Sequence, residues 1–254
     1  MNSTDVPLWQ SDGLGSLARI GVLTPDNDPV PESEMWAMAP RGVSIHSSRI
    51  HWNGDAQSLA EPPHVDTAAE LFSGLKPDVI VYAFTGSSYV LGVDSDDSLQ
   101  SRLEARAGGV PVILTAPAAC EALRSLGAHR LALIHPPWFT DQVNAKGPDY
   151  FQARGFSVVS CARMIPARSF MEVSAGEIYD WSRAHVSEVA EAVFIGGNGM
   201  RAVGVIQALE NALQIPVLTA NQVSMWQALR VVGVTSRITQ YGRIFSKRPT
   251  QQQS

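Results

Sequence analysis

Pro77-Asp-Val-Ile-Val-Tyr-Ala-Phe-Thr-Gly-Ser-Ser88 decides the fold, because a second stretch, Ala190-Glu-Ala-Val-Phe-Ile-Gly-Gly-Asn-Gly-Met200, is built the same way. Each is a run of branched and aromatic residues that ends in a polar glycine turn, the pattern of a strand running into a loop. The neighbours repeat too. Arg19-Ile-Gly-Val-Leu-Thr-Pro25 matches Arg130-Leu-Ala-Leu-Ile-His-Pro136, and Val110-Pro-Val-Ile-Leu-Thr115 matches Ile215-Pro-Val-Leu-Thr219. Each of the last pair leads to an Ala-Leu-Arg-x-x-Gly helix end, at Ala122 to Gly127 and Ala228 to Gly233. A period of roughly a hundred residues is too long for a solenoid and marks a duplicated α/β domain. Two facing copies predict one site at the seam between them.

Short Val, Ile and Leu runs alternate with segments of helical period, as in a parallel sheet. Strands are predicted near 18–24, 42–46, 78–84 and 111–115, and again near 130–135, 156–160, 192–196 and 215–219. Helices are predicted near 67–75, 97–107, 118–126, 141–153, 173–187, 201–213 and 223–232. The fold class is therefore α/β, with two pseudo-symmetric lobes, each a four-stranded parallel sheet flanked by helices. Residues 18–116 with 234–246 form the first lobe and 117–233 the second, leaving 1–17 and 247–254 as flexible ends. Pro25 to Glu34 and Trp52 to Val65 interrupt the repeat and read as loops.

The 254 residues are 45% hydrophobic but only 17% charged, below the roughly 25% usual for soluble domains. That suits strands covered on both faces. A net charge of −5 leaves no basic footprint, so nucleic acid is not an expected partner. Met1 to Leu17 lacks the basic start and apolar centre of a signal peptide, and no run is long enough to span a membrane. The expectation is a cytoplasmic protein, free to form a homo-oligomer.

In parallel α/β sheets ligands sit beyond the carboxyl ends of the strands. That rule selects Thr24 to Asp28, Phe84 to Ser88, His135 to Phe139, Gly197 to Arg201 and, after the last strand, Ala220 to Gln222. Thr85, Gly86 and Ser87 on one side, and Asn198 and Gly199 on the other, read as paired carboxylate cradles; the alternative is tight turns with Ser87 and Asn198 as helix caps. Asp26, Asp28 and His135 are candidates for moving a proton, with Asn27 beside them for binding. Turn-forming acids and a hydrogen-bonded structural histidine are the plainer alternatives. Arg201 suits pairing with a carboxylate or a solvated helix start. Trp138 and Phe139 suit a cleft wall or a core. Cys120 and Cys161 read as packing residues. No dinucleotide, P-loop or nucleophile-elbow motif is present, and the six histidines have no metal-ligand spacing. No cofactor and no metal are expected.

These pieces, with His46-Ser-Ser-Arg49, Asp78 to Gly92, Leu123 to Gly127, Gly197 to Val217 and Tyr241-Gly-Arg-Ile-Phe245, resemble the aspartate/glutamate racemase superfamily. Within it the chain is most similar to the maleate cis-trans isomerase and arylmalonate decarboxylase branch. The resemblance implies two lobes enclosing a small carboxylic acid without cofactor or metal. In that branch a cysteine follows a strand in each lobe, or in the second lobe alone. Counting back from Gly92 and from Pro216 puts those positions at Phe84 and Gly197, so the resemblance implies that both thiols are missing. It also implies an oxyanion pocket at Thr85 to Ser87, an opposite cradle at Asn198 and Gly199, and a substrate-gripping loop over Pro25 to Glu34. A phenol expected near Trp138 or Phe139 is absent. The implied activity is a cofactor-independent isomerase or lyase working through an enolate-like intermediate. The alternatives are a hydrolase or hydratase using His135, an Asp or Ser87, and a non-catalytic carboxylate binder.

Overall fold

Among the described residues eight parallel strands occupy the places where the apolar runs predict them, divided equally between two sheets. In the computed structural model, which describes residues 13–246 except 167, 168 and 170, the first sheet has the order β2-β1-β3-β4. Its strands are β1 (Ala18–Pro25), β2 (Val43–Ile50), β3 (Val79–Tyr82) and β4 (Val112–Leu114). The second sheet repeats that order as β6-β5-β7-β8, with β5 (Arg130–His135), β6 (Ser157–Arg163), β7 (Ala192–Ile195) and β8 (Val217–Thr219). Every pairing is parallel. Both central strands of each sheet are buried over nearly their whole length, which explains the unbroken Val/Ile/Leu runs.

The helices are α1 (Val30–Met38), α2 (His64–Glu70), α3 (Phe72–Leu75), α4 (Thr85–Leu91) and α5 (Val93–Arg106) in the first half. They continue as α6 (Thr115–Leu126), α7 (Asp141–Ala153), α8 (Ala175–His185), α9 (Ile206–Leu213) and α10 (Ala220–Val231). Local signals set several ends. Thr140 accepts from the Val143 N–H to start α7, and Ser174 with Glu177 forms a capping box for α8. Gly127, at φ 72°, closes α6.

Several expected bounds are corrected, among them β2, which runs on to Ile50. Pro25 to Glu34 is not a loop throughout: α1 begins at Val30. Pro29 precedes the helix and Pro31 lies in its first turn, where the missing N–H costs nothing. The helix expected from residue 201 begins at Ile206, after a 3-10 turn over Val203–Val205.

The lobes share one hydrophobic core, which runs from Val79 and Val81 of β3 through α6 to Val193 and Phe194 of β7. A smaller cluster under α2 and α5 belongs to the first lobe alone. Helices α6 and α10, each following the last strand of one sheet, pack against each other at the seam. The segment after α10 makes contacts on both sides of it. Tyr241 OH donates to Ala37 O, whereas the Arg243 N–H donates to Glu210 of α9. Residues 1–12 and 247–254, part of the expected flexible ends, lie outside the described residues, while the Leu17 N–H is fixed to Gly42 O. No helix among the described residues is long and apolar enough to cross a membrane.

Candidate active site

The carboxyl ends of six strands converge on a cleft of about 440 Å³ at the seam. Pro25 ends β1, Trp52 follows β2, Phe84 follows β3, Trp138 and Phe139 follow β5, Ser169 follows β6 and Gly199 follows β7; all line it. Asn27 and Asp28 enter from the loop before α1, and Gly86 and Val90 from α4. Gly54 to Gln57 and the start of α7 complete the rim.

Asp28 combines cleft position with unusual chemistry. It is 8% exposed, and its Oδ1 accepts from the Val30 N–H at 3.0 Å. Burial pushes its carboxyl up to about 6, against the opposing pull of that hydrogen bond and of Arg49. The Arg49 guanidinium does not enter the cleft lining. It donates to the Asp28 main-chain carbonyl at 2.7 Å and to Glu32 at 2.6 Å, bracing the loop from behind.

Asn27, Gly86, Trp138, Phe139 and Gly199 line the same cleft. The other sequence candidates are placed elsewhere. Asp26 is exposed and accepts from His51 Nδ1 at 2.9 Å and from the Trp52 N–H; the His51 bond foremost holds its carboxyl below the usual range. His135 is fully buried behind Phe139, with Nδ1 against Asn144 Oδ1 at 2.9 Å and no hydrogen-bond partner for Nε2 among the described residues. Burial pulls its imidazole down to about 4, which keeps it neutral. It cannot reach a molecule in the cleft as placed. Ser87 is also fully buried; its hydroxyl donates to Ala56 O at 2.9 Å and pairs with Tyr82 OH at 2.8 Å. Ser87 therefore presents no hydroxyl to the cleft as a nucleophile. Arg201 is exposed and donates to Met171 O and Val173 O, which ties down the approach to α8.

Asn198 departs furthest from expectation. It is 3% exposed and binds the opposite lobe instead of facing the cleft. Its Oδ1 accepts from the Thr85 N–H at 2.9 Å and from Thr85 Oγ1 at 2.8 Å. Its Nδ2 donates to Thr115 Oγ1 at 3.1 Å and to Asn221 Oδ1 at 2.9 Å. Thr85 is thereby committed as well. The two cradles face each other, but Thr85 and Asn198 are spent on one another and Ser87 on Ala56 and Tyr82, so Gly86 and Gly199 are what the cleft meets.

Phe84 packs on Trp52 with ring centroids 5.5 Å apart, forming an aromatic wall. Gly197 has φ +84°, and a Cβ there would sit 2.7 Å from Pro136 Cγ. Neither cysteine lines the cleft. Cys120 lies in the core and Cys161 on β6, its Sγ 3.6 Å from His135 Nδ1; burial raises the thiols to about 12 and about 11. Sequence reasoning missed Trp52 and Asp55 to Gln57. The signal was the strand-end rule itself, applied to a β2 drawn too short.

A sequence profile for arylmalonate decarboxylase matches residues 61–245. The chain belongs to that family. Maleate isomerase of Geobacillus stearothermophilus is 25% identical over 90% of this chain and 97% of its own length. The Nocardia farcinica maleate isomerase is 26% identical over 90% and 95%. The solved maleate isomerase of Pseudomonas putida S16 superposes with a TM-score of 0.80 at 20% identity, over 90% of this chain and 98% of that one. The chain thus shares the two-lobed α/β fold of a maleate isomerase, and both curated relatives are maleate isomerases.

Proposed function

We propose that this chain is a cofactor-independent isomerase or lyase. It takes a small carboxylic acid with a flat apolar substituent and moves the proton with Asp28 instead of a thiol. The observation that carries the reading is Asp28 itself: a cleft-lining carboxyl with a proton affinity near neutrality. A general acid or base works best when its pKa lies near the working pH. The walls of Trp52, Phe84, Trp138 and Phe139 suit a planar substituent. The Gly86 N–H, in the first turn of α4, has no intrahelical carbonyl to serve and suits charge developing on an enolate oxygen.

In a decarboxylation the C–C bond to the leaving carboxylate breaks and carbon dioxide departs. The electron pair remains as an enolate, and protonated Asp28 gives its proton to the carbon. In an isomerisation of an acid that carries a proton on the carbon beside its carboxylate, ionised Asp28 would take that proton, leave the electron pair as an enolate, and return the proton at a different face or position. Phe84 and Gly197, at the positions that correspond to the family's thiols, supply no sulfur for either step. Cys120 and Cys161, with thiols raised by burial, are poor substitutes.

Phenylmalonate, and one enantiomer of 2-phenylpropionate in deuterated water, are suitable first probes, with products read by proton NMR. Asp28→Asn should lower kcat by about 10²- to 10⁴-fold with little change in KM. With Asp28 as the acid, kcat/KM should fall as pH rises through about 6, because the free enzyme then loses the proton it donates. Undiminished turnover by the Asn variant, or complete inactivation of the native chain by a thiol alkylating agent, would remove this reading.

A further inference from the structure

A chain of buried hydrogen bonds joins α1 of the first lobe to the floor of the cleft by way of the second lobe. Glu34, on α1, accepts from the Val203 N–H at 3.0 Å and from Asn221 Nδ2 at 2.7 Å. Asn221 also donates to Asn198 O at 2.8 Å and accepts from Asn198 Nδ2 at 2.9 Å. Asn198 in turn holds the Thr85 N–H and hydroxyl, one residue before Gly86. Glu34, Asn221, Asn198 and Thr85 are all buried. Both ends of the chain adjoin cleft-lining groups: α1 is the helix that follows the Asn27–Asp28 loop, and Thr85 precedes Gly86.

We propose that Glu34, Asn221 and Asn198 are positioning residues, a relay that fixes the Gly86 N–H and the Asp28 loop relative to each other across the seam. The proposal rests on the reading of this cleft as the active site. Hydrophobic packing alone leaves sideways slip between lobes. A line of directional bonds with alternating donors and acceptors removes it, and each broken link strands a buried partner.

Glu34→Gln keeps shape and size and can still accept from the Val203 N–H. It sets an amide donor against Asn221 Nδ2, so the line of donors and acceptors is broken at its first link. Asn221→Leu removes the first two links together, because the one amide nitrogen serves both Glu34 and Asn198 O. Amide hydrogen exchange at Thr85 is read against Ile80, whose N–H is bonded to Pro111 O inside the first sheet. The ratio of the Thr85 to the Ile80 exchange rate should rise about tenfold in Glu34→Gln and at least as much in Asn221→Leu. The two together should add less than about twofold to the larger single effect, because a relay already cut is not cut again. In the same variants kcat for phenylmalonate should drop more than KM rises. A ratio unchanged within about twofold in either single variant, or one that multiplies when the two are combined, overturns the relay. The exchange ratio needs no substrate, so it decides the relay even if neither probe acid turns over.

Discussion

The turn at Thr85–Ser88 and the turn at Gly197–Arg201 are counterparts in the internal repeat, yet they do different work. The first enters α4 at once and presents Gly86 to the cleft. The second makes an open turn, with α9 delayed to Ile206. Asn198, the counterpart of Thr85, reaches over and binds it. A duplicated fold supplies two equivalent loops at one seam, and here one became the clamp on the other. The pseudo-symmetry therefore indicates where the cleft is, but not which residues face it.

The largest expected effect comes from cutting that clamp. Asn198→Leu leaves the Thr85 N–H and Asn221 Oδ1 buried without their present partners. At about 1–3 kcal/mol for each stranded group, the loss should be about 4 kcal/mol in a denaturant melt. A loss below about 1 kcal/mol would mean that water satisfies these groups and that the two turns are more alike than their hydrogen bonds imply.

A smaller effect should separate the two glycines. At Gly197 an added Cβ meets the rigid Pro136 ring, with the backbone at φ +84°. Gly197→Ala should cost about 2–3 kcal/mol. At Gly86 the added Cβ would lie 3.2 Å from Phe84 Cε1, a ring edge that can yield, and alanine favours the helix. Gly86→Ala should stay within about 1 kcal/mol of the native chain. Thermal melts of the two variants side by side are the check.

The strands were legible because burial on both faces demands uninterrupted branched residues, and glycine and proline mark their ends. The location of the cleft followed from the strand-end rule. The β2 boundary did not, because Ser47, Ser48 and Arg49 continue the strand with polar side chains. With β2 cut short, Trp52 to Gln57 looked like an insertion and not a strand-end loop. Helix α1 was hidden by Pro29 and Pro31, which disfavour a helix in its interior but suit its start. Asn198 was read as a ligand-binding group because its partner lies 113 residues away, and such a pairing exists only once the lobes have docked. His135 had the right strand end and the wrong depth: periodicity reports a face of the sheet, not the side chains that later cover it.

The smallest expected effect distinguishes Asp26 from Asp28, neighbours on the loop that the sequence could not rank. Asp26 is solvent-facing and paired with His51, an exposed contact of the kind worth about 0–1 kcal/mol. Asp26→Asn should therefore change stability by no more than about 0.5 kcal/mol and kcat/KM by no more than about twofold. Its lowered pKa leaves it ionised throughout the neutral range, so it has no proton to give where Asp28 still does. The pH profile of kcat/KM in Asp26→Asn should accordingly overlay that of the native chain. If instead the fall near pH 6 moves with Asp26 and survives in Asp28→Asn at reduced rate, the acid is Asp26. The loop would then have to turn its exposed face inward when substrate binds.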